Sequence, residues 1–167
     1  LFIGSDLTFK RKFTNNFKTS LSLNYLWSNN LDNNGKLINQ PPVRIEKNFI
    51  FETESFWKVN FSEISLTPSY TFQQFQAPMT ITPESLINGE NNITADTDIF
   101  DFKDAPEGFF LLDFSWKLNI NDFTASIIVN NVLNKKYRNY LNYMRYFADD
   151  MGRNFIFNLS YTFKKKN

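Results

Sequence analysis

The sequence predicts an all-β chain, an antiparallel up-and-down sheet of about seven strands of the kind that walls a transmembrane β-barrel. Three observations predict it. Apolar and polar residues alternate with period 2 through most of the chain, the spacing of strands with one apolar face. The alternating runs last roughly 9–14 residues, whereas soluble strands have a mode of about 5–6 and a tilted membrane-spanning strand needs about 9–11. Connections between runs are alternately short and long, which gives the sheet one end of tight turns and one of elaborate loops, as in outer-membrane barrels. Composition agrees. Twenty Phe, seven Tyr and three Trp make 18% of the 167 residues, and only five are Gly, so strands are favoured over helices.

In chain order, weak alternation at about 2–12 gives a first strand, ending at a turn near Thr14-Asn15-Asn16. In the second, Phe17, Thr19, Leu21, Leu23, Tyr25 and Trp27 share one parity, and Lys18, Ser20, Ser22 and Asn24 the other. The long loop at about 30–42 holds the turn formers Asn33-Asn34-Gly35 and Pro41-Pro42. A weaker run at 43–56 and a turn near Lys58-Val59-Asn60 lead to the fourth strand, with Ile64, Leu66, Pro68, Tyr70 and Phe72 on its apolar parity. Pro68 cannot donate to a ladder, so a bulge or a lost hydrogen bond is expected there. Loop 74–108 precedes an alternating run over 109–118, a turn near Asn119-Ile120-Asn121 and a run over 123–130. After loop 133–153 the last run places Phe155, Phe157, Leu159, Tyr161 and Phe163 on one parity. The opening residues Leu1 to Asp6 read as the inside of a strand, and the chain is expected to be a fragment.

Several function classes are excluded. Eighteen Lys plus Arg stand against 17 Asp plus Glu, a net charge of +1, without the basic excess of a nucleic-acid binder. There is no Cys, hence no disulfide or thiolate metal site, and no His, the usual general base and commonest metal ligand. No run approaches 18 apolar residues, so no transmembrane helix is expected. No catalytic residue, metal site or cofactor is expected, and the chain is read as a non-enzyme.

Tyr25, Trp27, Trp57, Tyr70, Trp116, Tyr161 and Phe163 lie mostly near strand ends, where amphipathic rings would form belts at two membrane–water interfaces. Ordinary cross-strand ring packing is the plainer alternative. Loop 74–108 exceeds a connector's needs and is a candidate binding or lid element through Phe75, Met79, Phe100 and Phe102; packing on neighbouring loops explains it equally well. In loop 133–153, Arg138, Arg145 and Arg153 flank Asp149-Asp150. These five are candidate loop or ligand residues, and Arg–carboxylate pairing that shapes the loop is expected. Parity alone does not decide whether the apolar face meets lipid or a small barrel's interior.

The stretch Val129-Asn130-Asn131-Val132-Leu133-Asn134-Lys135-Lys136-Tyr137-Arg138, followed by Gly152-Arg153-Asn154-Phe155, resembles the end of a TonB-dependent receptor. In that family a V-x-N-L-F-[DN]-K-x-Y-R-like segment closes the penultimate strand and G-R-x-[FY] opens the last; here Val132-Leu133 stands where Leu-Phe is usual. The run from Phe155 to Phe163 resembles the barrel's C-terminal signal, although Lys164 to Asn167 follow it. Ala105-Pro106-Glu107-Gly108-Phe109-Phe110-Leu111-Leu112-Asp113 resembles the P-G-[YF]-x-x-x-D segment, and Asn39-Gln40-Pro41-Pro42-Val43-Arg44 resembles P-P-x-R.

The resemblance implies that residues 1–163 are the C-terminal part of a barrel of about 22 strands, with 164–167 a Lys-rich tail. It puts Phe163 on the periplasmic side and the three long loops outside the cell. It implies a bacterial outer-membrane location and energised import of a siderophore-iron complex, a vitamin, a glycan or a peptide. Implied partners are the rest of the barrel and its plug, in the same or another chain. The others are TonB-ExbB-ExbD through the plug, the barrel-assembly machinery, and lipid or lipopolysaccharide, with no nucleic acid. Two alternatives stand beside it: a small stand-alone β-barrel binding a hydrophobic ligand, and a structural or secretion-associated outer-membrane barrel.

Overall fold

The structure, a computed structural model, describes residues 1–29, 37, 39–56, 59–89 and 100–163. Trp57, the tail 164–167 and the turn formers Asn33 to Gly35 lie outside the described residues. The elements are β1 (Phe2–Lys12), β2 (Phe17–Ser28), β3 (Arg44–Phe56), β4 (Val59–Thr71), β5 (Met79–Thr80), α1 (Pro83–Ile87), β6 (Phe100–Asp101), β7 (Phe109–Ile120), β8 (Phe123–Asn130) and β9 (Asn154–Tyr161). A short 3-10 turn spans Tyr143–Tyr146. Seven strands form one antiparallel sheet in the order β1-β2-β3-β4-β7-β8-β9, an up-and-down meander; β5 and β6 make a separate two-residue parallel pair.

The short connections are 13–16, 57–58 and 121–122, and the long ones are 29–43, 72–108 and 131–153. Asn121 takes φ 54° in its turn, a left-handed conformation that Asn tolerates, and the turn begins two residues later than its sequence signal. Pro68 interrupts one ladder without a bulge. The β3–β4 register is the same on both sides of it (Glu46 opposite Ser69, Phe49 opposite Leu66), while the two intervening pairs drop out. On its other side Pro68 stays opposite Leu112. Thr67 Oγ1 donates to Asn48 Oδ1 at 3.3 Å, bridging the gap with side chains.

Register joins the period-2 runs into two continuous faces. Leu7, Leu23, Ile45, Tyr70, Phe110 and their neighbours form an apolar face across all seven strands. The opposite face is knitted by polar contacts: Lys18 Nζ to Glu52 at 2.6 Å, Asn24 Nδ2 to Asp6 Oδ1 at 2.7 Å, and the Ser65 and Ser115 hydroxyls at 2.9 Å. Among the described residues no second layer covers the apolar face. Among the described residues the buried hydrophobic side chains are Ile81, Ala105, Phe109 and Tyr140, all in or against the long loops. The sheet is open: β1 and β9 are its edges and do not pair with each other.

Candidate functional site

The three long loops interlock into a cap at one end of the sheet. Past β4 the alternation slips by one residue, with Phe72 and Gln73 both exposed, and then resumes with Gln74 and Gln76 turned inward and Phe75 outward. Gln74 Nε2 donates to the Gln40 carbonyl at 2.7 Å, and Gln76 Nε2 to the Ser28 carbonyl at 2.9 Å. Gln73 reaches the Ala105 carbonyl at 2.8 Å, closing the loop's own base. Asn39 Nδ2 donates to the Tyr143 hydroxyl at 2.7 Å, joining the β2–β3 and β8–β9 loops although β4 and β7 lie between those hairpins. The residues that the cap buries on the sheet, Ser28, Ser69, Thr71 and Phe109, belong to the polar face. The cap therefore folds over that face.

Its centre is Arg145, whose side chain is 6% exposed. The guanidinium pairs with Asp101, donates to the Tyr140 carbonyl at 2.8 Å and to the Tyr146 hydroxyl at 2.7 Å, and stacks 4.4 Å and 4.7 Å from the Tyr140 and Tyr146 ring centres. Tyr146 donates its own proton to Asp101. Buried charge survives only with this degree of pairing. Asp101 comes from the β4–β7 loop and Arg145 from the β8–β9 loop, so the pair ties two loops together. Lys103 Nζ adds a bond to the Tyr146 carbonyl at 2.7 Å.

A second network shapes the β8–β9 loop from within. Arg138 Nε donates to Asp149 Oδ1 at 2.8 Å, and its Nη1 to the Arg145 carbonyl at 2.9 Å. Asp150 accepts from the Asn139 backbone N–H at 2.6 Å and from Asn142 Nδ2 at 2.7 Å; Asn142 in turn caps the 3-10 turn. Asn131 and Asn134 take φ 51° and 52°. Asn131 clamps Lys135 through both its amide atoms, and Asn134 Oδ1 accepts the Arg153 N–H at 2.9 Å, where the chain re-enters the sheet. A Cβ on Gly152 would lie 2.9 Å from Asn134 Oδ1, and one on Gly108 would lie 2.7 Å from the Tyr70 hydroxyl. Both glycines are demanded by close approach.

Burial also acts on the cap's phenols. Tyr137, Tyr140 and Tyr146 all have pKa values pushed above the ordinary 10, first by desolvation. Asp150 adds to the shift at Tyr137, and the hydrogen bond to Asp101 adds to it at Tyr146. Arg145 partly offsets it at Tyr140.

The sequence-predicted loop residues are thus dispersed. Arg138 and Asp149 pair with each other, Arg145 pairs with Asp101 rather than with Asp149 or Asp150, and Arg153 contributes a backbone N–H. Phe100 packs edge-on against Phe102 with centres 5.6 Å apart, and Met79 lies opposite Phe100, exposed. Phe75 stands apart from them, stacked on Tyr25 of the apolar face at 6.3 Å. Between the 106–109 segment and 135–138 a recess of about 300 Å³ is lined by Gly108, Lys135, Lys136, Tyr137, Arg138 and Asp149 among others. Asp101, Tyr140, Tyr146 and the two glutamines were not marked by spacing. Only the polar–apolar alternation of Gln74, Phe75 and Gln76, out of phase with β4, carried a signal.

Of the aromatic candidates, Tyr25, Trp27 and Tyr70 sit at the long-loop end of the apolar face, with Phe72 edge-on to Tyr70 at 4.8 Å. Tyr161 and Phe163 sit at the short-turn end, where Phe123, Tyr161 and Phe163 pack in series at 4.7 Å. Trp116 is four residues inside β7 and donates its indole N–H to Ser62 at 3.1 Å. The C-terminal run Phe155, Phe157, Leu159 and Tyr161 lines the apolar side of β9, an edge strand.

Fold and site together define an antiparallel barrel-wall sheet with one polar face, one apolar face and a loop cap. Among solved structures, the chain is similar to a copper transporter, OprC, with a TM-score of 0.69 and 20% identity over 97% of this chain. The chain spans 23% of that structure's length. The likeness is one of fold. No family model matches the chain, and no curated protein matches it in sequence.

Proposed function

We propose that the chain forms barrel wall and extracellular loops of an outer-membrane TonB-dependent receptor that imports a scarce nutrient. One observation carries this reading: among the described residues, a seven-stranded sheet with an uncovered apolar face, a hydrogen-bonded polar face and no core of its own. Such a sheet is stable when its apolar face meets lipid and its edges are paired, since lipid satisfies no backbone group. Further strands on β1 and β9 and a plug complete it, in the same chain or another. The match to about a quarter of a transporter supports the same reading.

The apolar face meets the hydrocarbon, with Tyr25, Trp27 and Tyr70 in the outer belt, Tyr161 and Phe163 in the inner one, and Trp116 at the inner margin. The polar face lines the lumen beneath the cap. Residues 155–163 act as the segment read by the barrel-assembly machinery. Ligand meets the cap through Met79, Phe100, Phe102 and the recess beside Arg138 and Asp149, while Arg145, Asp150 and Arg153 hold the loops and Phe75 joins the outer belt. TonB-ExbB-ExbD acts through the plug, and no bond is made or broken in the cargo.

Purification from detergent-solubilised outer membranes through a C-terminal tag, followed by mass spectrometry, tests this. We expect recovery with a plug-like region and about 15 further strands, completing a barrel of about 22. Recovery of this sheet alone as a folded monomer overturns it.

A further inference from the structure

Among the described residues of the seven strands, only two charges fall on the apolar face, Arg11 and Lys47; every other charged strand residue lies on the polar face. On the polar face Lys18 finds Glu52 and Arg44 finds Glu46. Arg11 and Lys47 find no carboxylate among the described residues. Lys47 Nζ donates to Thr19 Oγ1 at 3.5 Å and lies 5.7 Å from the Phe49 ring centre, and the Arg11 guanidinium stacks 4.7 Å from that of Phe13.

Their placement is shared. Thr19 lies directly opposite Arg11 on β1 and opposite Phe49 on β3, and Lys47 lies opposite Leu21, the next apolar-face residue along β2. Two cations thus bracket one hydroxyl, and Thr19 is itself 5% exposed. Arg11 and Thr19 sit beside the short turn 13–16, where Phe13 and Phe17 pack with centres 5.6 Å apart, and Lys47 reaches toward them from its place opposite Leu21. A cation on a lipid-facing surface is tolerated near the interface or against an anion.

We propose that Arg11, Thr19 and Lys47 form a seat for the phosphate of an anionic phospholipid in the leaflet at the short-turn end. Both cations reach the phosphate oxygens as charge-assisted donors. Thr19, which accepts from Lys47, keeps its own proton to donate. Phe9, Leu21 and Phe49 continue the apolar surface along which the acyl chains lie. The inference rests on the apolar face meeting lipid.

The test is native mass spectrometry of the complete receptor released from phosphatidylcholine bilayers doped with phosphatidylglycerol. We expect the wild type to retain one phosphatidylglycerol more than the Arg11→Ala/Lys47→Ala double variant. With about fivefold weaker retention per cation removed, the double variant should be about 25-fold weaker. Lys47→Arg should retain the lipid, as should Lys10→Ala, which changes the polar face. The double variant only adds apolar character to a lipid-facing surface, so folding is preserved. Equal retention by wild type and double variant, with both inserted, overturns the seat and leaves the barrel reading standing. Displacement by excess inorganic phosphate identifies a free-anion site and overturns the lipid. Failure of the wild type to insert overturns both.

Discussion

In the sheet, polar side chains bond to one another across the strands and apolar ones stand uncovered. In the cap the 3-10 turn reverses this: Arg145 is buried while Tyr143, Met144 and Phe147 are exposed, Phe147 by 81%. The two regions are stabilised from different sources. Among the described residues the sheet has no interior, and its apolar face and its β1 and β9 edges are left for other surfaces to cover. The cap supplies its own interior, small and mostly polar, from a buried ion pair, three tyrosines and asparagines that close turns. Environment decides the fate of the first region, and internal pairing that of the second.

The largest expected effect breaks the cap alone. Arg145→Ala leaves Asp101 buried without its partner, a loss of about 3–5 kcal/mol. Hydrogen exchange should accelerate over 131–153 and around Asp101 while the amides of β7 and β8 stay protected. Equal acceleration in the sheet would show that the two regions are one cooperative unit. Next, Phe114→Arg puts a charge at the middle of the apolar face and should cost about 2–4 kcal/mol of assembly in the membrane, whereas Ser115→Arg, one residue along on the polar face, should cost only its hydrogen bond to Ser65, about 1 kcal/mol. The yield of membrane-inserted protein measures both.

A finer test sits where the regions join. Gly108→Ala forces a methyl against the Tyr70 hydroxyl and the Thr71 carbonyl, at a cost of about 1–3 kcal/mol. Tyr70→Phe added to it should recover part of that loss in thermal melts. The smallest effect needs alkali. Tyr137, Tyr140 and Tyr146 hold their protons more tightly in the closed cap than in an opened one. Their contribution is therefore intact below the ordinary phenol value of about 10 and is lost as pH rises from there through the raised values. Tyrosinate absorbance should show these three ionising late and together with loss of cap protection, while the sheet persists.

The sheet was legible because its physics is local and repetitive. Period 2 in Leu21-Leu23-Tyr25-Trp27 or Phe155-Phe157-Leu159-Tyr161 marks a face without knowledge of neighbours. Parity alone puts Arg11 with Leu7 and Phe9 and Lys47 with Ile45 and Phe49, but the register that brings both cations to Thr19 is non-local and became visible only when the strands paired. The cap was legible only through the family-like segments that contain Asn131, Asn134, Gly108 and Gly152, and the structure shows each of these four answering a backbone or close-approach need. Its centre was not. Arg145 and Asp101 are 44 residues apart, and nothing in the spacing of either distinguishes that partner from the adjacent Asp149 and Asp150.

The central claim, that one face of this sheet meets lipid and the other water, can be tested residue by residue because the chain has no Cys. Single cysteines at Leu112, Asp113, Phe114 and Ser115 of β7, in the complete protein in its membrane, would carry a fluorophore. Quenching is then compared between a lipid-borne and a water-soluble agent. The lipid-borne quencher should act at 112 and 114 and the aqueous one at 113 and 115. The opposite alternation, or aqueous quenching at all four, would contradict the account.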